Sequence, residues 1–288
     1  MEAEKMSFME NLEHKATEVR SIVCMGLDPT LEKIPVKAKT TEDKITKFYS
    51  NILEAMITEG VVPAAVKPNY AFFAQYGFDG LRALKDCIEM HQTKAIPVIL
   101  DAKRGDIGKT SEAYAREVFE FWNADAVTLS PYLGTDSIEP FLKYSDRDKG
   151  VYILARTSNK GAVEIQNLKA GDNPIYIKVA ERIVDWSRMT PGCVGAVVGA
   201  TSLKEFRALS RFFVGSGQEV PLLIPGVGAQ GGSAKDIIEG LKETGNELFM
   251  HRINSSSGIN YAYERYGTDD YAGAAVKAIN ELNSEIRF

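Results

Sequence analysis

Short apolar runs alternate with helical spacing over most of the chain. Eight runs stand out, at 21–26, 61–66, 96–100, 126–129, 151–155, 194–198, 222–224 and 248–253. Continuous runs of this length read as strands buried on both faces. Helical periodicity fills the intervals, at 41–59, 78–91, 110–122, 137–143, 174–189, 203–213, 234–244 and 271–283. In the first of these, Phe48, Ile52, Leu53 and Met56 fall on one side. A further amphipathic helix, 7–20, precedes the first strand.

Strands that alternate with helices make parallel βα units. Eight units in 288 residues predict an α/β chain closed as a (β/α)8 TIM barrel, a fold of about 250 residues. Residues 1–288 then form a single domain with an N-terminal helix ahead of the barrel. A doubly wound open sheet is the alternative, but the G-x-G-x-x-G expected after its first strand is missing. That spacing occurs instead as Gly226-Val227-Gly228-Ala229-Gln230-Gly231, after the seventh run. There a barrel builds a phosphate cradle from glycine-rich backbone.

Composition narrows the chemistry. The net charge is −5, with 44% apolar and 25% charged residues, so no nucleic-acid or membrane partner is expected. An anionic ligand must then be met locally, by a few Lys and backbone N–H groups. No apolar run is long enough to span a bilayer, and 1–20 lacks the apolar core of a signal peptide. Cys24, Cys87 and Cys193 have no metal spacing and read as reduced thiols of a cytoplasmic protein. His14, His91 and His251 are far apart and begin no H-E-x-x-H, so no histidine-based zinc site or triad is expected.

The third run ends abruptly in charge: Asp101-Ala-Lys103-Arg-Gly-Asp106. Alternation along a strand turns Asp101 and Lys103 to the same side. Flanking carboxylates favour a protonated Lys, which suits proton donation or anion binding rather than Schiff-base attack. A solvated loop with Asp106 capping the next helix is the ordinary reading of this stretch taken alone. The other strand ends add Asp28, Lys67, Asn69, Thr157, Ser158, Gln230 and Asn254. Each has a plain alternative: Asp28-Pro29 as a turn, Lys67-Pro68 as a solvated strand end, Gln230 as an exposed loop residue. Their joint occurrence at the carboxyl ends, where barrels bind ligands, is what those alternatives leave unexplained. Tyr70, Phe72, Phe73 and Tyr76 read as helix packing.

With these residues assembled, the chain resembles the orotidine 5'-phosphate decarboxylase family, of the longer bacterial type, from about Ser21 to Tyr263. The motifs are Leu27-Asp28-Pro29, Lys67-Pro68-Asn69, Asp101-x-Lys103-x-x-Asp106-Ile107-x-x-Thr110, Ser130-Pro131-Tyr132-Leu133-Gly134, Arg156-Thr157-Ser158-Asn159 and Pro225-Gly226-Val227-Gly228-x-Gln230-Gly231-Gly232. The resemblance implies decarboxylation of orotidine monophosphate (OMP) to UMP in pyrimidine biosynthesis, with no metal and no organic cofactor. It implies that Lys103 protonates C6, that Asp101 lies against the substrate carboxylate, and that Lys67 holds Asp101 and the ribose. Asp28 and Asn69 would bind ribose or the charge network, Thr157 and Ser158 the pyrimidine, and Pro225, Gly226, Gln230 and position 257 the phosphate. Asp106, Ile107 and Thr110 would reach the neighbouring subunit's site, which implies a homodimer with shared active sites.

One departure stands out. The family pattern Asn-Ser-Ser-Arg-Gly reads Asn254-Ser255-Ser256-Ser257-Gly258 here, so Ser257 stands where the phosphate-binding Arg is expected. Arg252 lies within the expected strand and is not placed to substitute. Two alternatives follow: a metal-dependent sugar-phosphate decarboxylase or synthase of the same superfamily, and a non-catalytic nucleotide-binding barrel. The first needs an acid after the second strand, where Lys67 stands.

Overall fold

A computed structural model describes residues 6–228 and 231–286. Its centre is a sheet of eight parallel strands, numbered here along the chain: β1 Val23–Leu27, β2 Ala65–Pro68, β3 Ile99–Arg104, β4 Ala126–Leu129, β5 Gly150–Arg156, β6 Val194–Val198, β7 Leu222–Pro225 and β8 Arg252–Ser255. Their order is β2-β1-β8-β7-β6-β5-β4-β3. The two outer members, β2 and β3, meet through bridges at Val66–Val98 and Asn69–Asp101. Those bridges close the barrel at the point that carries Lys67 and Asp101.

Helices wrap the outside. The longer ones are α1 Phe8–Val19, α2 Thr41–Thr58, α4 Gly77–Gln92, α8 Ile175–Met189, α9 Leu203–Gly215, α10 Ala234–Thr244 and α13 Tyr271–Ile286. Shorter ones are α3 Tyr70–Ala74, α5 Gly108–Arg116, α6 Thr135–Leu142, α7 Ala162–Ile165, α11 Ser257–Asn260 and α12 Ala262–Tyr266. Ser7 starts α1 with a capping box: its hydroxyl accepts from the Glu10 N–H, and Glu10 accepts from the Ser7 N–H. A small ribbon, Lys169–Ala170 against Asn173–Pro174, decorates the loop after β5.

The barrel interior has an apolar floor and a polar roof. Cys24, Ala65, Ile99, Ala126, Tyr152, Val197 and Leu223 pack inside it, and Phe8 and Leu12 of α1 plug its amino-terminal end. Gly150 makes room for the plug, since a Cβ there would stand 2.1 Å from the Phe8 ring. Arg252 also points down: it is fully buried and donates to the carbonyls of Leu12, Phe249 and His251. It therefore ties α1 to the barrel floor, away from the carboxyl-end face.

Most boundaries shift by a few residues from the sequence reading, and three of the shifts have a clear physical cause. β3 does not stop at Leu100 but carries Asp101 and Lys103 within it. The last strand starts at Arg252 rather than Leu248, because its interior-facing residues are polar and an apolar run does not find it. The helix expected over 110–122 ends at Arg116, and Glu117–Phe121 forms a wider π turn. Glu117 is held there by Arg104 and by the indole N–H of Trp122.

Candidate active site

The carboxyl ends of the strands surround a cavity of about 690 Å³, within the size range of small-molecule sites. Asp101 sits near its base. Its Oδ2 accepts from Lys67 Nζ at 2.8 Å, and its Oδ1 accepts from Lys103 Nζ at 2.7 Å and from Thr128 Oγ1 at 2.8 Å. Asp101 and Lys67 are buried, whereas half of the Lys103 side chain is exposed.

The electrostatics follow from that geometry. Burial alone would push the Asp101 carboxyl up, but Lys67 and Lys103 overcome it and hold it well below the usual carboxylate range. Burial likewise opposes the Lys67 charge, and Asp101 with Asp28 outweighs it, raising Lys67 above its ordinary value. Asp28 goes the other way. Burial pushes it up, and Lys67 only partly pulls it back. Two carboxylates beside one ammonium are thus driven apart, the pattern of sites where acid–base roles are divided.

The expected residues gather unequally. Asp28, Lys67, Asn69, Asp101, Lys103, Thr157, Ser158, Pro225, Gly226 and Ser257 all line the cavity. Asn69 also caps α3, its Oδ1 accepting from the Ala71 N–H. The buried Oδ1 atoms of Asp28 and Asn254, two residues of the cavity lining, take no hydrogen bond from the described residues. Thr157 is braced by Asn159 and Gln166. The Ser158 backbone lies so near Gly199 that a Cβ there would stand 2.8 Å from it. Gly226 has φ of 97°, a conformation that favours glycine, and its carbonyl accepts from the Gly232 N–H to fold the loop after β7. Gln230, expected at the phosphate, lies outside the described residues.

Asp106, Ile107 and Thr110 do not line this chain's cavity. Asp106 accepts from the Ile107 N–H, and the Ile107 side chain is exposed. Sequence reasoning missed Thr128 and the apolar wall of Leu154, Val197 and Leu223. It also assigned Phe72 to packing, whereas Phe72 lines the cavity, and its neighbour Phe73 does the packing. Period-two alternation along β4, with Thr128 two residues beyond the inward Ala126, is the signal that finds the hydroxyl.

Known proteins resemble this chain over nearly its whole length. The chain is 42% identical over 288 residues to an orotidine 5'-phosphate decarboxylase of Thermomicrobium roseum, covering 98% of this chain and 96% of that one. Among solved structures it resembles Leishmania donovani OMP decarboxylase, with a TM-score of 0.76 at 34% identity, covering 98% of this chain and 99% of that one. It also resembles Leishmania donovani UMP synthase, with a TM-score of 0.78 at 37% identity; it covers 98% of this chain and 57% of that longer one. A family model described as orotidine 5'-phosphate decarboxylase / HUMPS family matches residues 21–261. The chain belongs to that family.

Proposed function

We propose that this protein decarboxylates orotidine 5'-phosphate to UMP and carbon dioxide. The observation that carries the reading is the Asp101 carboxylate clamped between Lys67 and Lys103 at the base of the cavity. The C6–carboxylate bond breaks, carbon dioxide leaves, and the electron pair remains on C6. The Lys103 ammonium stabilises that pair and gives it a proton, and the amine regains one from solvent. A fixed ammonium acts most strongly on charge that appears only in the transition state, in a site with little water. Lys67 keeps Asp101 ionised and in place.

The remaining lining residues bind the parts that do not react. Asp28, Asn69 and Lys67 take the ribose, where the open Asp28 acceptor meets a hydroxyl. Thr157 and Ser158 take the pyrimidine. Pro225, Gly226 and Ser257 take the phosphate, and Gln230, outside the described residues, is assigned to it with them. Phosphate binding remote from the reacting carbon helps align the base. No step is routed through a metal or an organic cofactor.

Asp106, Ile107 and Thr110 serve the site of a second copy, so the working unit is a homodimer. Ile107 and Thr110 are exposed and Asp106 is half-buried, and none of the three lines its own chain's cavity, which supports this reading. The three cysteines are buried and form no disulfide with one another, which suits a reducing cytoplasm. Loss of orotidine monophosphate absorbance, followed with and without EDTA, tests the activity. No loss at any enzyme concentration rejects it, and abolition by EDTA replaces it with a metal-dependent reaction.

A further inference from the structure

Thr128 stands opposite an irregularity in the sheet. β3 and β4 pair at Leu100–Val127 and next at Arg104–Leu129. Three residues of β3, Asp101 to Lys103, therefore face one residue of β4. Such an insertion breaks the backbone ladder and re-aims side chains. Lys103 also has φ of 45°, a left-handed conformation uncommon outside glycine.

The Thr128 side chain replaces the missing ladder. Its Oγ1 accepts from the Lys103 N–H at 2.9 Å and donates to Asp101 Oδ1 at 2.8 Å. The residue is 1% exposed, so neither bond competes with bulk water. Both bonds share one oxygen, so they use both of its capacities: a lone pair holds the Lys103 backbone and the proton holds the Asp101 carboxylate. The Lys103 ammonium bonds the same Oδ1. A three-membered ring of contacts thus fixes the bulge, the carboxylate and the ammonium together.

We infer that Thr128 is a positioning residue for the decarboxylation, setting the Lys103 ammonium and the Asp101 carboxylate in register through its hydroxyl. The inference rests on the decarboxylase reading above. A misplaced proton donor affects the chemical step, whereas ribose and phosphate contacts are made elsewhere. Loss of the hydroxyl should therefore lower kcat and leave substrate binding almost unchanged.

Thr128→Val keeps the shape and removes the hydroxyl, and Thr128→Ser keeps the hydroxyl and removes a methyl. Steady-state kinetics with orotidine monophosphate and UMP affinity are measured for the parent and both variants, with a thermal scan of each. The expected result is a fall in kcat of roughly ten- to a hundred-fold for Thr128→Val, from loss of hydrogen bonds to a charged pair, with KM and UMP affinity within about threefold. Thr128→Ser should retain kcat within about threefold of the parent even if its Tm is lower. If Thr128→Val does not fold, Thr128→Ala is compared with Thr128→Ser. Equal kcat for parent and hydroxyl-free variants overturns the inference, as does a serine variant no better than them. A parent without decarboxylase activity fails the underlying reading instead.

Discussion

Lys67 Nζ lies 2.8 Å from Asp101 Oδ2 with only 6% and 9% of the two side chains exposed, whereas Lys103, on the other oxygen, has 51% of its side chain exposed. The two ammonium groups therefore differ in what they can reach. Lys67 is enclosed and held by Asp101, so removing Lys67 would leave the buried carboxylate with Lys103 as its one ammonium partner among the described residues. Lys103 can turn toward a substrate while Asp101 holds it.

Lys103→Ala should accordingly remove turnover and spare the fold. The variant loses both the proton donor and the charge facing C6, so kcat should fall by at least about 10³-fold. Its Tm should stay near that of the parent, because the lost ion pair is half exposed and such pairs contribute little. UMP should still bind measurably by calorimetry. Activity within tenfold of the parent would remove Lys103 from the reaction.

A shared site makes a second expectation. Asp106→Ala and Lys103→Ala, each nearly inactive alone, should regain activity when mixed and allowed to exchange subunits. In the mixed dimer one site carries both substitutions and the other carries neither. About half of all dimers are mixed at equal concentrations, so recovery should approach a quarter of the parent rate per site. That fraction is an order-of-magnitude expectation for random exchange of a symmetric dimer. Labelled subunits report the exchange, and absence of recovery after it would return Asp106 to its own chain's site.

The sequence revealed some of this architecture better than the rest, for physical reasons. Strand β4 and strand β6 were located to the residue, because both are buried on both faces and carry no charged residue, Thr128 being the one polar side chain. Helix α10 was equally legible, bounded by a Ser233 cap and the left-handed Gly245. β3 was cut short because Asp101 and Lys103, although in the strand, face a polar cavity. β8 was misplaced for the same reason, with Arg252 pointing to the floor and Asn254 to the roof. Polar residues inside a barrel thus hide the strands that carry the chemistry. The charged residues were legible from type and position, while the Thr128 link depends on a bulge that spacing alone does not show.

Acid sensitivity is a third expectation, and two buried histidines set its window. His91 is pushed down to about 4 by burial, against the partial help of the Cys87 carbonyl. His251 is pushed down to about 3 by burial and then by Arg252. Both stay neutral in the folded chain while the unfolded chain takes up protons below about 6.5. Stability present above that value is therefore lost as the pH falls toward 4 and then 3. For His91 the full loss is about 3 kcal/mol. Asp101 acts in the same direction at lower pH, its contribution being present above about 3.9 and lost below. Thermal scans should show Tm falling from pH 6.5 to 4 in the parent and falling less steeply in His91→Gln. Parallel curves would mean that other groups set the acid limb.

The last expectation concerns position 257. Ser257 opens the short helix α11 and lines the same cavity wall as Gly226, Val227 and Gly258. Pro225 and Gly226, at the carboxyl end of β7, line that cavity too. Ser257→Arg should therefore strengthen phosphate binding. A hydrogen bond to a charged group contributes about 1.5–3 kcal/mol, and Arg–phosphate pairs are often bidentate. At about 1.4 kcal/mol per tenfold, affinity for orotidine monophosphate and UMP should rise roughly ten- to a hundred-fold. Orotidine and uridine, which lack the phosphate, should bind as they do to the parent; this separates a phosphate contact from a general change in the cavity. Added salt should reduce the gain, since position 257 is exposed. The same guanidinium should leave kcat at saturating substrate nearly unchanged if it binds substrate and transition state alike. Equal affinities of parent and variant for UMP would mean that position 257 does not face the phosphate, which the loop after β7 and the start of α10 would then hold on their own.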